Sequence, residues 1–101
     1  MNKERRTNFR IPLNLPARYD GMSGAHEARI EDMSLGGCFV NARGQVHEGE
    51  SITVEIKLPS GRWLKLGGEV TAYQPGIGFG MVFSNLTLEE ESDLQKLLIG
   101  E

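Results

Sequence analysis

Asp32-Met33-Ser34-Leu35-Gly36-Gly37 places a carboxylate, a hydroxyl and two adjacent glycines within six residues, between two apolar runs. Glycine reaches backbone angles that other residues adopt only at a cost, so this stretch reads as a tight turn between strands. A second cluster opens the chain: Arg5-Arg6-Thr7-Asn8-Phe9-Arg10. Guanidinium groups present forked donors that match phosphate oxygens and the O6/N7 edge of guanine, and they stack on bases. A carboxylate does the complementary task. Asp32 can accept from the N1–H and N2–H₂ donors of a guanine edge, which no arginine can do. The small Ser34 hydroxyl and the Gly36-Gly37 backbone beside it allow close approach. The two stretches are therefore read as facing one ligand. Taken alone, however, the spacing of Arg6 and Arg10 also describes a solvated, charged arm.

Other chemistries find less support. His26 and His47 lie far apart in sequence, and with a single cysteine they form no zinc-ligand pattern, so no metal and no cofactor is expected. Cys38 stands in an apolar run and reads as a core residue rather than a nucleophile. Ser34 lacks the strand-to-helix elbow that exposes a catalytic serine. No catalytic residue is assigned and the chain is not expected to be an enzyme. Gly76-Ile77-Gly78-Phe79-Gly80 is glycine-rich, but no helix or phosphate-loop lysine follows it. These glycines read as relief where strands bend or approach closely.

Composition sets the outer limits. At 101 residues, 39% hydrophobic and 25% charged, the chain suits one globular domain. A net charge of -3 argues against a general nucleic-acid coat, which relies on a broad basic surface. One cysteine permits no internal disulfide and fits a reducing compartment. The amino terminus has no apolar signal core, and no run approaches the roughly 20 apolar residues that span a bilayer. A cytoplasmic protein without membrane insertion is expected.

The elements that must position the two clusters are mostly strands. Residues 1–10 show little apolar periodicity and are expected to form a mobile arm. Leu13, Leu15, Ala17 and Tyr19 alternate with polar residues, as do Ala28 and Ile30 within His26 to Asp32. Cys38-Phe39-Val40 is a short strand with both faces covered, and Asn41 to Glu50 reads as a loop. Ile52 to Leu58 alternates without fault. Pro59-Ser60-Gly61 then turns into a long strand from Arg62 to Tyr73, with Leu64, Leu66, Val70 and Ala72 on one face. Gly67-Gly68 predicts a bulge or bend in its middle. Ile77 to Phe83 forms the last strand. Thr87 three residues before Glu90 is a capping-box spacing, and Leu94, Leu97 and Leu98 recur at helical intervals. About six short strands in a closed or nearly closed barrel are expected, with a C-terminal helix at about 87–99.

Arg6-Thr7-Asn8-Phe9-Arg10 and Asp32-Met33-Ser34-Leu35-Gly36-Gly37 together resemble the two signatures of the PilZ domain, R-x-x-x-R and [D/N]-x-S-x-x-G. That family is the bacterial receptor module for the second messenger cyclic di-GMP. The run from Gly76 to Phe83 is similar to the family's closing strand, and the resemblance extends from Arg5 to about Leu98. No room is left in these residues for a fused output domain. It implies an all-β, six-stranded antiparallel barrel with a C-terminal α-helix: residues 1–10 as the arm and 11–101 as the barrel domain.

The resemblance also implies roles. Arg6 and Arg10 would hold phosphates and guanine edges, Asp32, Ser34 and Gly37 would form the opposing wall, and Gly36 would allow close approach. Arg5 would cover an exposed guanine of a stacked ligand dimer. Ligand binding would move the arm and present a new surface to a downstream protein. Two other readings compete. One is a PilZ-type interaction module without a nucleotide ligand. The other is an oligonucleotide-binding barrel using Trp63, Tyr73 and Phe39, which lacks the accompanying basic cluster; no DNA or RNA partner is therefore expected.

Overall fold

The computed structural model describes residues 10–99. Six strands precede one helix: β1 Ile11–Gly21, β2 Gly24–Met33, β3 Gly37–Asn41, β4 Ser51–Lys57, β5 Trp63–Gln74, β6 Gly78–Phe83 and α1 Leu88–Leu98. They close into an antiparallel barrel in the order β1-β2-β3-β6-β5-β4, with β1 pairing β4 across the closure. The interior is the face that alternation selects. In β4, Ile52, Val54 and Ile56 are at most 2% exposed, and Tyr19, Ile30, Leu66 and Phe79 meet them from other strands.

Pro12 and Pro16 are compatible with β1 because of where its second neighbour begins. β4 pairs β1 only from Ala17 to Asp20, so both prolines precede that ladder. A missing N–H is therefore not missed on that side.

Two residues behave differently from the simple alternation. The ladder between β4 and β5 runs unbroken through Thr53↔Gly67 and Ile52↔Gly68, so the expected bulge is not at the glycine pair. A Cβ on Gly68 would collide with the carbonyl of Val82, and close approach of β6 explains that glycine. The register shifts instead between Val70 and Ala72, on the side facing β6. The extra residue, Thr71, reverses the alternation. Ala72, expected on the buried face, is exposed, while Tyr73 turns toward the core.

The 42–50 loop is anchored through Glu50, which is only 6% exposed. Its carboxylate accepts from the backbone N–H of Met22 (2.7 Å) and of His47 (2.9 Å), tying the loop to the β1–β2 hairpin. The Met22 bond chiefly, with help from His47, holds the carboxyl below its usual range despite burial. A carboxylate with a lowered folded-state pKa stabilises above its unfolded value of about 4.3 and loses that contribution as pH falls through the lowered value. Acid thermal melts are expected to show it. The Glu50→Gln variant, with one acceptor oxygen left, should melt lower than wild type at pH 7, and the gap should narrow below about pH 4. An equal gap at both pH values would contradict the assignment.

Helix α1 starts where the capping spacing puts it. The Thr87 hydroxyl accepts from the Glu90 N–H, and the Glu90 carboxylate accepts from the Thr87 N–H, both at 3.0 Å. Glu89, Glu90 and Glu91 occupy the first turn, at the positive end of the helix dipole. Leu94 is fully buried, and Leu97 and Leu98 pack beside it against the barrel core. Asp93 pairs with Arg62 at 3.0 Å, fastening the helix to the approach to β5. Among the described residues no helix is long and apolar enough to cross a membrane.

Candidate functional site

The Asp32–Gly37 stretch lies at the corner where β2 gives way to β3, and the sheet is irregular on both sides of it. Register shifts occur between Ile30 and Asp32 toward β3, and between Pro12 and Leu15 toward β2. Ile30 and Met33 are fully buried, yet the two residues between them are not. One extra residue in a period of two has this effect: Glu31 is added, and Asp32 is displaced from the core face.

Asp32 meets Arg10 there. The Arg10 Nε–H donates to Asp32 Oδ1 at 2.7 Å, and Nη2 lies 2.6 Å from the same oxygen. Both groups are partly open to solvent, at 45% and 34% side-chain exposure. Because both contacts converge on Oδ1, the second carboxylate oxygen keeps lone pairs for another donor. This contact joins the last residue of the predicted arm to the predicted turn. Arg5 and Arg6 lie outside the described residues.

Ser34 is 2% exposed. Its hydroxyl accepts from the Gly36 N–H at 3.2 Å, and its own N–H donates to the Gly37 carbonyl at 2.9 Å. The Gly36 carbonyl accepts from the Phe83 N–H at 2.9 Å, which pins the turn to the end of β6. The serine thus organises the turn internally, as hydroxyl residues commonly do. Gly37 has a separate requirement. A Cβ there would collide with the Met81 carbonyl and stand 3.1 Å from Val82 Cα. Glycine is therefore demanded by the β3–β6 contact itself.

Arg10, Ser34, Gly36 and Gly37 border a crevice of about 160 Å³ whose other wall comes from Thr71, Gly80 and Val82. Those three were absent from the sequence-based set. They belong to strands far along the chain, and only the β3–β6–β5 neighbour order brings them here. Leu35, 36% exposed, stands within the turn. Cys38 reaches the crevice floor but is fully buried, and desolvation pushes its thiol up to about 12, against a smaller opposing influence of Arg10. A thiol in that state is a core group, since nucleophilic attack needs the thiolate. Trp63, Tyr73 and Phe39 form no shared stacking platform: Tyr73 packs on the core, Phe39 pairs opposite Gly80, and Trp63 lies beneath Arg18.

The described residues thus form a closed six-stranded antiparallel barrel with a D-x-S-x-x-G corner between β2 and β3 and a C-terminal helix. The family model for the PilZ domain matches residues 4–100, and the chain belongs to that family, whose members serve as cyclic di-GMP receptor and effector modules.

Solved structures agree on the fold. The PilZ domain of CeSA from a cellulose-synthesizing bacterium is 22% identical with a TM-score of 0.72, over 91% of this chain and 96% of that one. The PilZ domain of YcgR from Escherichia coli, solved with c-di-GMP, is 16% identical with a TM-score of 0.76, over 90% and 86%. The Bacillus subtilis inhibitor of motility MotI/DgrA is 20% identical with a TM-score of 0.73; the match covers 89% of this chain but 47% of that one. Among curated proteins no match was found.

Proposed function

We propose that this chain is a cytoplasmic bacterial receptor for cyclic di-GMP and works without catalysis. The observation that carries the reading is the Arg10–Asp32 contact beside the Ser34–Gly37 turn, at the rim of the crevice. Family membership supports it, as does the c-di-GMP of the YcgR structure.

In this reading Asp32 presents its second oxygen to the N1–H and N2–H₂ edge of guanine. Arg10 serves the phosphates or the O6/N7 edge, and it exchanges part of its contact with Asp32 for the ligand. Ser34 and Gly36 supply a flat, closely approachable wall, and Gly37 maintains that wall's position. Residues 1–9 bring Arg6 onto the phosphates, and Arg5 covers an exposed guanine when two ligands stack. The changed position of this segment is the output read by a downstream protein.

Calorimetry with cyclic di-GMP, GTP and single-stranded DNA tests the proposal on the purified chain. Saturable heat is expected with cyclic di-GMP alone. Arg10→Ala should weaken binding by about 3–6 kcal/mol if it removes two charge-assisted bonds of about 1.5–3 kcal/mol each. Affinity near wild type in that variant removes Arg10 from the site. No heat with cyclic di-GMP leaves the barrel as an interaction module without a nucleotide.

A further inference from the structure

Away from the crevice, an open groove of about 690 Å³ lies over β1 and β2 and reaches the end of β3. Four cationic side chains border it, Arg18, Arg29, Arg43 and Lys57, against the single carboxylate of Glu27. This is a local inversion in a chain whose net charge is -3. A depression lined mainly by one sign of charge concentrates oppositely charged groups from solution.

Two of the arginines are also held in place. Arg29 donates from Nε to the Asn14 side-chain oxygen at 2.8 Å and from Nη2 to the Asn14 carbonyl at 3.3 Å. Both acceptors are neutral, so the guanidinium is oriented without losing its charge. Arg18 is offset by Glu55, its Nε–H donating at 2.8 Å, while its guanidinium lies 4.3 Å from the centre of the Trp63 ring. Trp63 remains 38% exposed at the groove edge. Among the described residues, Arg29, Arg43 and Lys57 make no salt bridge.

Exposed cations flanking a half-exposed tryptophan, with Arg29 held by neutral acceptors, suit one kind of partner. We infer that this groove docks an acidic segment of another protein, with carboxylates on Arg29, Arg43 and Lys57 and one apolar side chain against Trp63. Tryptophan and arginine are the residue types that most often anchor protein interfaces, and charge complementarity sets the sign of the partner. Single-stranded nucleic acid fits less well, because it needs successive stacking platforms. Here two rings border the groove, Trp63 and His26, and both are already occupied: Arg18 lies against Trp63 and Tyr19 stacks on His26. The surface is distinct from the crevice, although both draw on β2 and β3: Arg29 and Asp32 are three residues apart, and Gly37 and Asn41 stand at opposite ends of β3. The inference does not depend on cyclic di-GMP binding.

Trp63 is the only tryptophan, so its emission reports on this groove. The full chain is titrated with a synthetic hexaglutamate peptide ending in leucine, with a hexalysine counterpart, and with an oligothymidylate of equal charge. The acidic peptide is expected to shift Trp63 emission saturably. Raising salt from about 50 to 300 mM should weaken it several-fold, since screening shortens the reach of exposed charges. Each of Arg43→Ala and Lys57→Ala should weaken binding about two- to fivefold, in line with exposed ion pairs. Arg29→Ser should do at least as much, and a thermal melt shows whether that variant keeps its fold. An unchanged emission up to millimolar peptide overturns the inference. So does an equal response in the Arg43→Ala/Lys57→Ala double variant, or tighter binding of the oligothymidylate.

Discussion

Asp32→Ala is expected to leave the barrel folded and to abolish measurable binding of cyclic di-GMP. Its carboxylate is about one-third exposed and lies off the core face. What the fold loses is one exposed ion pair with Arg10, and such pairs contribute about 0–1 kcal/mol. The melting temperature should therefore fall by no more than about 8 °C. The ligand loses far more. Two guanine donors would face a methyl group in place of a carboxylate, at about 1.5–3 kcal/mol for each charge-assisted bond. A 3–6 kcal/mol loss is roughly a hundred- to ten-thousandfold in Kd. Asp32→Asn keeps one acceptor oxygen and should fall between the two. Calorimetry and a thermal melt on the same preparations decide the matter. Wild-type affinity in Asp32→Ala would remove the carboxylate from guanine recognition, and an unfolded variant would make its role structural.

Gly37→Ala, five residues along the same motif, should have the opposite profile. The new methyl group would be driven into the Met81 carbonyl and the Val82 backbone, neither of which can rotate away as a side chain does. Accommodating it requires parting β3 from β6, in a barrel where those strands pair over five positions. Overpacking of this kind costs about 1–3 kcal/mol or more. For a chain of this length, about 4–8 °C of melting temperature is lost per kcal/mol. A fall of roughly 10–20 °C is the expected midrange. Any affinity that survives below the new melting point should be only modestly reduced. A melting temperature equal to wild type, with binding lost, would return Gly37 to a direct ligand role.

The pair of predictions separates what the D-x-S-x-x-G pattern joins. Asp32 is the part of the motif that the barrel leaves open to another molecule. Ser34 also braces the turn and Gly37 also admits a neighbouring strand, while both border the crevice. The resemblance implies one ligand wall for all three, and the two melts and titrations test that wall residue by residue.

Much of the architecture was legible because its causes are local. A period of two with one apolar face defines β4 within seven residues, and the Thr87–Glu90 spacing defines the start of α1 within four. The arginine cluster and the carboxylate–glycine turn announced complementary chemistry by residue type alone. Pairing across the barrel is not local. That β3 lies beside β6, so that Thr71, Gly80 and Val82 complete the crevice, follows from closing six strands at once. The single-residue shifts at Glu31 and Thr71 are equally long-range, since a bulge exists only relative to the strand opposite. Residue type and local spacing were enough to name the groups available to bind and the elements that carry them. Long-range pairing alone brings Arg10 to Asp32, turns Ala72 outward, and sets β6 so close to Gly37 that no side chain fits there.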